Sequence, residues 1–188
     1  MTMPADNRSP RDLAGMPVVW HPDCMLHEPG GEVWIGIWET GTEVPERATV
    51  LLDAVIAAGA ELTAATAHDD QAIHAVHDPA LVEFLTNVWA DWEAGGYPTT
   101  YQRSRVVPYL FPTPGLLAGL PMSSPAALHG RVGRFCYDTM TLIGPGTWKA
   151  ARAAADAAFT TSQAVHAGAP AAYALFRPPR RPVGPSTY

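Results

Sequence analysis

The residues best suited to chemistry by type and spacing are histidines and aspartates in the stretch 68–78. His74 and His77 stand three residues apart, so a helix would place both imidazoles on one face. A third imidazole and three carboxylates come from His68, Asp69, Asp70 and Asp78. Imidazoles and carboxylates together can bind a divalent metal ion. The spacing permits a metal site without specifying one, and helix-capping aspartates with surface histidines explain the same residues.

The segment His21 to Val44 combines acidic and aromatic side chains at a density that is unusual for a connection. Its main members are Glu28, Glu32, Glu39, Trp34 and Trp38. Binding residues concentrate on loops, so the segment is a candidate pocket wall or interface. A loop whose tryptophans cover the core is the alternative.

Tyr137 and Asp138 follow Cys136 and could line a pocket, although Asp138 is equally suited to hydrogen bonding in a local turn. No nucleophile elbow, dinucleotide fingerprint or phosphate loop occurs. The second cysteine, Cys24, lies far away in sequence, so we expect neither a disulfide nor a cysteine-based zinc site. The cysteine usage fits a reducing compartment.

The composition argues against several classes of function. The chain has 188 residues, 47% of them hydrophobic, which is enough for one domain with a core. A formal net charge of −6 argues against binding to nucleic acid. No stretch approaches the roughly 18 apolar residues of a membrane span, and residues 1–10 lack the apolar block of a secretory signal. We therefore expect a cytoplasmic protein without nucleic-acid or membrane partners.

Hydrophobic periodicity predicts the elements that position these residues. The predicted strands are Pro17–Trp20, Glu61–Ala65 and Ala171–Phe176. The predicted helices are Pro45–Ala58, a short segment ending near His77, a helix that Asp78-Pro79 opens and Gly95-Gly96 closes, and Trp148–Ala167. Helices alternating with strands indicate an α/β fold with a parallel sheet.

The second half of the chain is predicted to contain a long loop region, a helix and a last strand. Residues 97–146 contain seven prolines and predict a long loop region. Thr147 is the predicted cap of the last helix, which has Trp148, Ala151, Ala155 and Phe159 on one face. The strand Ala171–Phe176 is uniformly apolar, so we expect it inside a parallel sheet covered on both faces. The basic cluster that follows, Arg177, Arg180 and Arg181, predicts a solvated tail, with a partner-binding patch as the alternative.

Several blocks of the sequence resemble one enzyme family. They are "PERATVLLDAVIAAG", "HDPALVEFLTNVWADWEAGGYP", "VVPYLFPTP" and "GPGTWKAARAAADAAFTTSQAVHAGAPAAYALFRPP". Together they resemble the N-terminal half of the histone deacetylase superfamily and, within it, the acetylpolyamine amidohydrolases. The resemblance implies an incomplete arginase/deacetylase-like α/β fold, with parallel strands, crossover helices and long loops, in which residues 1–188 form a single, truncated N-terminal part of the domain.

The resemblance also implies a reaction that this chain is not equipped to catalyse. Family members are zinc hydrolases in which metal-bound water attacks an acetamide carbonyl, assisted by a histidine pair. In the family the strand runs into Arg-Pro-Pro-Gly-His-His. Here Arg177, Pro178 and Pro179 match, but Arg181 and Pro182 occupy the positions of the histidine pair. The family's zinc ligands and its catalytic tyrosine lie further along the family sequence, so we expect no catalytic residue, no metal ligand set and no zinc here.

Two functional expectations follow from the resemblance. The first is a truncated deacetylase that is inactive as these 188 residues, and the second is a noncatalytic module that pairs with a full-length relative or with itself. The family's front loop shapes an acidic entrance and supports dimer contacts, so Glu28, Glu32 and Glu39 are substrate-pocket candidates for an acetylated amine or polyamine. Tyr137 and Asp138 are further candidates on the pocket side.

Overall fold

The computed structural model describes residue 13, residues 15–97 and residues 105–179. Three parallel strands form the central sheet, and a two-stranded antiparallel hairpin stands apart from it. In chain order the strands are β1 Pro17–Trp20, β2 Glu32–Trp34, β3 Ile37–Glu39, β4 Glu61–Ala64 and β5 Tyr173–Leu175. The sheet order is β4-β1-β5, so the three strands predicted from the sequence are confirmed as its members.

The helices are α1 Glu46–Ala57, α2 Gln71–Val76, α3 Pro79–Ala94, α4 Pro114–Leu117, α5 Leu128–Phe135 and α6 Thr147–His166. Local signals explain the predicted ones. At the start of α3 the Asp78 side chain accepts a hydrogen bond from the Ala80 N–H at 2.9 Å, and Pro79 occupies the first helical turn. Beyond its end, Gly96 takes the left-handed backbone conformation that glycine adopts without strain.

Both faces of the sheet are covered at its centre. Val18 and Val19 are neighbours on β1 and point to opposite faces, yet each is almost completely buried. The chain moves from β1 to β4 through α1 and returns to β5 through α6. Right-handed crossovers that run in these opposite directions place the two helices on opposite faces. The fold is therefore α/β, as predicted.

The last strand belongs to the parallel sheet as predicted, but it does not lie in the interior of the described sheet. β5 pairs in parallel with β1, but no other described strand pairs with its second edge. Leu175 is buried whereas Tyr173 is exposed. Within the described residues β1, not β5, is the interior strand of the sheet.

The cap predicted for α6 is wrong. Thr147 is the first residue of the helix, preceded by Gly146, and its hydroxyl accepts the Gly144 N–H at 2.8 Å instead of capping the helix. The buried residues of α6 are Thr147, Asp156 and the four alanines Ala150, Ala153, Ala154 and Ala157. Small side chains let a helix approach a sheet closely, so the alanines lie against the strands, and Trp148 and Phe159 are only half-buried at the sides.

Both predicted loop regions contain regular secondary structure. Segment 21–44 contains a 3-10 helix, Pro22–Leu26, and the β2–β3 hairpin. Region 97–146, whose residues 98–104 lie outside the described part, contains α4, α5 and an antiparallel bridge between Val106 and Ile143. α5 packs on α3, with Phe135 stacked on Phe84 at 4.6 Å between ring centres. Two glycines within α5 hide its periodicity from sequence analysis.

One of those glycines is required by packing. A Cβ at Gly133 would lie 1.6 Å from the Leu110 carbonyl oxygen, so only glycine lets segment 110 cross the helix there. α3 and α5 contribute to one cluster of buried hydrophobic side chains. They include Leu81, Phe84, Val88, Trp92, Val106, Leu128, Val132, Phe135 and Ile143.

None of the helices in the described ranges combines the length and the apolar character that a membrane crossing requires.

Candidate functional site

The candidate site lies where the carboxyl ends of β1 and β5 meet. Because the two strands are adjacent and parallel, the segments that follow them emerge at the same edge of the sheet. Open α/β sheets place their ligands at this edge. The 3-10 helix after β1 packs against α6, which brings the start of that helix to the same place.

A buried histidine connects the loop after β1 to the start of α6. His27 is 3% exposed, and its Nδ1 lies 3.0 Å from the Thr147 hydroxyl oxygen. Since that oxygen accepts the Gly144 N–H, the hydroxyl proton is free to be donated to Nδ1. Burial, followed by the charges of Arg177 and Arg105, lowers the pKa of His27 to about 4. His27 is therefore a neutral imidazole at physiological pH.

A buried arginine connects the exit of β5 to the same loop. Arg177 is 5% exposed; its Nε donates to Glu43 Oε1 at 2.5 Å and its Nη2 donates to the His27 carbonyl at 3.1 Å. The other carboxylate oxygen of Glu43 pairs with Arg47 in the first turn of α1. Among the described residues, Arg177 Nη1 has no hydrogen-bond partner. For Arg177 the prediction of a solvated tail is wrong, because its side chain is folded into the protein; Arg180, Arg181 and Pro182 lie outside the described residues.

The hairpin places two of the predicted pocket residues together. Glu32 on β2 and Glu39 on β3 are directly opposite each other in the register. Carboxylates in such a pair repel each other, so the arrangement favours a cation between or beside them. Glu28 is not part of the hairpin; its side chain is exposed, while its carbonyl accepts two hydrogen bonds from Arg105, at 3.0 and 2.7 Å.

The hairpin is attached to the segment that carries the other two candidates. The Val33 N–H donates to the Thr139 carbonyl at 3.2 Å, and the Thr139 hydroxyl donates to the Val33 carbonyl at 2.7 Å. Asp138 Oδ1 accepts the N–H groups of Met140 and Thr141 at 2.9 and 2.8 Å, which is the local turn that the sequence offered as the alternative. Tyr137 is 70% exposed and lines an open cleft of about 450 Å³. The binding roles of the five residues stay predictions.

The aspartates and His68 of segment 68–78 have structural partners, whereas the buried His77 Nδ1 has no hydrogen-bond partner among the described residues. Asp156 of α6 accepts from the His68 N–H at 2.9 Å and lies 3.3 Å from the His68 ring. Arg152 bonds both Asp156, at 2.7 Å, and Asp70, at 2.8 Å, while Asp78 caps α3. Within the described ranges no cluster of three or more His, Cys, Asp or Glu side chains could hold a metal ion. The described side chains therefore do not fit the zinc ion that the family resemblance implies.

The two cysteines are unsuited to nucleophilic chemistry. Both are free and buried. Burial, with a smaller contribution from the Asp138 carboxylate, raises the pKa of Cys136 to about 12. Burial likewise raises the pKa of Cys24. Because the thiolate is the reactive form, these thiols are inert at neutral pH.

Comparisons with known proteins find relatives of one kind. The acetylpolyamine amidohydrolase of Mycoplana ramosa is 31% identical over 170 residues, which are 90% of this chain and 47% of the relative. That of Burkholderia pseudomallei is 33% identical over 163 residues, which are 85% of this chain and 44% of the relative. Acetylpolyamine amidohydrolase 1 of Pseudomonas aeruginosa is 32% identical over 88% of this chain and 46% of the relative. No family model matches the chain.

A solved structure gives the same result. The crystal structure of acetylpolyamine aminohydrolase from Burkholderia pseudomallei superposes with a TM-score of 0.81 at 30% identity, over 93% of this chain and 48% of that one. The chain thus spans about half the length of the relatives it matches. The family resemblance seen in the sequence is confirmed: the chain is a homologue of the acetylpolyamine amidohydrolases and matches them over about half of their length.

Proposed function

We propose that the chain forms the entrance and one wall of an acetylpolyamine amidohydrolase site, as a single unit equivalent to the N-terminal part of a deacetylase domain. The reaction of the whole protein is then hydrolysis of the N-acetyl amide of an acetylated polyamine or lysine. The observation that carries the proposal is the Glu32–Glu39 pair on a hairpin anchored beside the carboxyl edge of the sheet, in a homologue of these enzymes.

The substrate class follows from the charge and shape of the hairpin. Two carboxylates that face each other across the strands are stabilised by an ammonium group. Trp34 lies on the same face of the hairpin as Glu32 and Glu39, and its partly exposed ring adds a face on which a cation can rest. A chain with a net charge of −6 also attracts cations over longer distances. The cationic end of an acetylated polyamine has this chemistry.

The same proposal holds that these 188 residues do not hydrolyse the amide by themselves. The described side chains contain no set of metal ligands. At the positions of the family's proton-transfer pair the sequence has Arg181 and Pro182. Arginine stays protonated near neutral pH, and proline has no proton to transfer. A cytoplasmic location belongs to the proposal, because two free cysteines suit a reducing compartment.

Binding and turnover can be tested on the same preparation. Titration calorimetry with N-acetylputrescine should detect binding that Glu32→Gln and Glu39→Gln each weaken by up to about fivefold, since each removes one exposed charge contact. Glu83→Gln, on the exposed side of α3, is the matched control and should not change the affinity. Acetate release should stay at the buffer rate. Unchanged binding in both hairpin variants would contradict the role of the hairpin as a substrate entrance. Acetate release above the buffer rate would contradict the claim that the chain is inactive by itself.

An assembly role is the second candidate, and the tip of the hairpin favours it. Trp34, Ile35, Ile37 and Trp38 are 45–79% exposed in one small element. Contiguous exposed apolar side chains mark interaction surfaces. Self-association, or pairing with a full-length relative, would cover them. Sedimentation velocity of the wild type and of Ile35→Ser/Ile37→Ser tests this role: association that survives the double substitution does not use the hairpin.

A further inference from the structure

A cleft beside α5 is formed by segments that are distant in sequence. It is open, has a volume of about 450 Å³, and is bounded by the end of α5, by residues of segment 111–122 and by the residue that precedes α3. The apolar part of its lining comes from Phe111, Pro112, Met122 and Phe135. Small-ligand pockets usually measure roughly 300–1,000 Å³ and combine apolar walls with a few polar groups. The charged groups of the lining therefore decide which ligand the cleft fits.

One of those charged groups is a guanidinium without a partner. Arg134 is half-buried, and its guanidinium carbon lies 5.2 Å from the centre of the Phe135 ring, so the cation is held against the wall of the cleft. Arg134 makes no hydrogen bond or ion pair among the described residues. The other arginines of the described ranges all pair with a carboxylate or donate to a carbonyl group; they are Arg47, Arg105, Arg131, Arg152 and Arg177. The fork of a guanidinium matches a ligand carboxylate.

The second charged group of the cleft is a carboxylate. Asp78 lines the same cleft, and among the described residues only its Oδ1 is used, as the acceptor of the Ala80 N–H. Asp78 and Arg134, both within the described ranges, form no ion pair with each other. The Cys136 thiol of the lining is neutral, because burial raises its pKa to about 12. The formal charges of the lining thus cancel, so a plain anion is repelled by Asp78 and a plain cation by Arg134.

We propose that the cleft binds a zwitterion with an apolar body, of which an apolar α-amino acid is the simplest case. The carboxylate of the ligand pairs with Arg134, its ammonium group pairs with Asp78, and its side chain packs against Phe111 and Met122. Met122 is 45% exposed, so a ligand side chain can cover apolar area there. This binding site goes beyond the proposed function, because it uses none of the hairpin residues.

Three ligands that share one aromatic body separate the contributions of the two charges. NMR titrations of the purified chain compare L-phenylalanine, which carries both charges, with phenylpropionate, which lacks the ammonium group, and with phenylethylamine, which lacks the carboxylate. We expect L-phenylalanine to bind about fivefold more tightly than either of the others, as a partly exposed charge pair contributes. No binding of L-phenylalanine, or equal affinities for the three ligands, would overturn the proposal.

Variants that neutralise one charge locate the site. Arg134→Gln should make L-phenylalanine bind no better than phenylethylamine. Asp78→Asn keeps the cap of α3, because asparagine caps a helix as well as aspartate does, and should make L-phenylalanine bind no better than phenylpropionate. Arg131→Gln is the matched control and should preserve both preferences, since Arg131 lies on the same helix, pairs with Asp91 and does not line the cleft.

The preferences are ratios measured within one protein, so they do not depend on the stability of a variant. Preferences that persist in Arg134→Gln and Asp78→Asn would place the ligand elsewhere and overturn the proposal. The affinity for N-acetylputrescine should be the same in the wild type and in both variants. A change in that affinity would mean that the cleft binds the acetylated amine instead of an amino acid, and would also overturn the proposal.

Discussion

At the scale of single residues, the protein keeps charged and titratable groups buried by pairing them across distant segments. His27 stays neutral beside Thr147, and Arg177 shares Glu43 with Arg47. The sequence could not reveal these contacts, because His27 and Thr147 are 120 residues apart, and Glu43 and Arg177 are 134 apart. The Glu32–Glu39 pair is partly predictable. The sequence identifies both residues as pocket candidates, but it does not show that they lie opposite each other on two strands.

The buried His27 makes stability depend on pH in a defined direction. Its pKa in the folded state is about 4, below the ordinary 6.5, so the unfolded chain binds a proton first as the pH falls. Stability should therefore decrease between about pH 6.5 and pH 4, by about 3 kcal/mol in total. Urea unfolding at pH 7 and pH 4.5 measures the change. His27→Asn should flatten the dependence relative to the wild type, and parallel curves for the two proteins would show that His27 is not its source.

The carboxylate of Glu43 neutralises a buried guanidinium. Glu43→Gln leaves Arg177 without its charge partner and should destabilise the fold by about 3 kcal/mol. Glu46→Gln, an exposed acidic residue at the start of α1, is the control and should cost less than about 0.5 kcal/mol. Denaturant melts of the three proteins decide between these values. Equal midpoints for both variants would mean that the Glu43–Arg177 pair contributes little.

At the scale of elements, prediction succeeded where the signal is local. α3 has an aspartate cap, a proline in the first turn and a glycine stop, and all three lie within the helix or beside it. α5 lacks such marks and contains two glycines, so its helical form depends on packing against α3 and segment 110. The capping role predicted for Thr147 at the start of α6 is wrong, because its hydroxyl accepts the Gly144 N–H instead.

The close contact between Gly133 and the Leu110 backbone predicts that an added methyl group destabilises the protein at Gly133 but not at Gly115. Gly133→Ala must displace the Leu110 backbone and should destabilise the protein by about 2 kcal/mol. Gly115→Ala in α4 meets no atom closer than 4.0 Å and should be neutral or slightly stabilising. Thermal melts monitored by circular dichroism compare the two. Similar melting temperatures for the two variants would contradict the crossing geometry.

At the scale of the whole molecule, the family and the α/β class could be read from the sequence, because the matching blocks are spread along most of the chain. The site could be read only in part. Residues that a sequence shows side by side, such as His74 and His77, acquire their roles from what packs around them, and the metal cluster that their spacing permitted does not occur in the described residues.

The absence of a ligand cluster from the described residues predicts the behaviour of the chain towards zinc. After incubation with zinc and gel filtration, elemental analysis should find well below one zinc ion per chain. A stoichiometric zinc ion that is lost in His74→Gln or His77→Gln would mean that segment 68–78 rearranges into a metal site. Zinc that survives both substitutions would point to ligands outside the described residues.

The strands that pair in the central sheet are synthesised at different times. β1 is made first, but its neighbour β5 and the counter-ion of Glu43 are made last, 134 residues after that glutamate. At about 5–20 residues per second, this separation corresponds to roughly 7 to 27 seconds of translation. During that interval the central strand has one open edge, so ribosome-bound chains of this protein should be a substrate for chaperones that recognise exposed β-strands until β5 has left the exit tunnel.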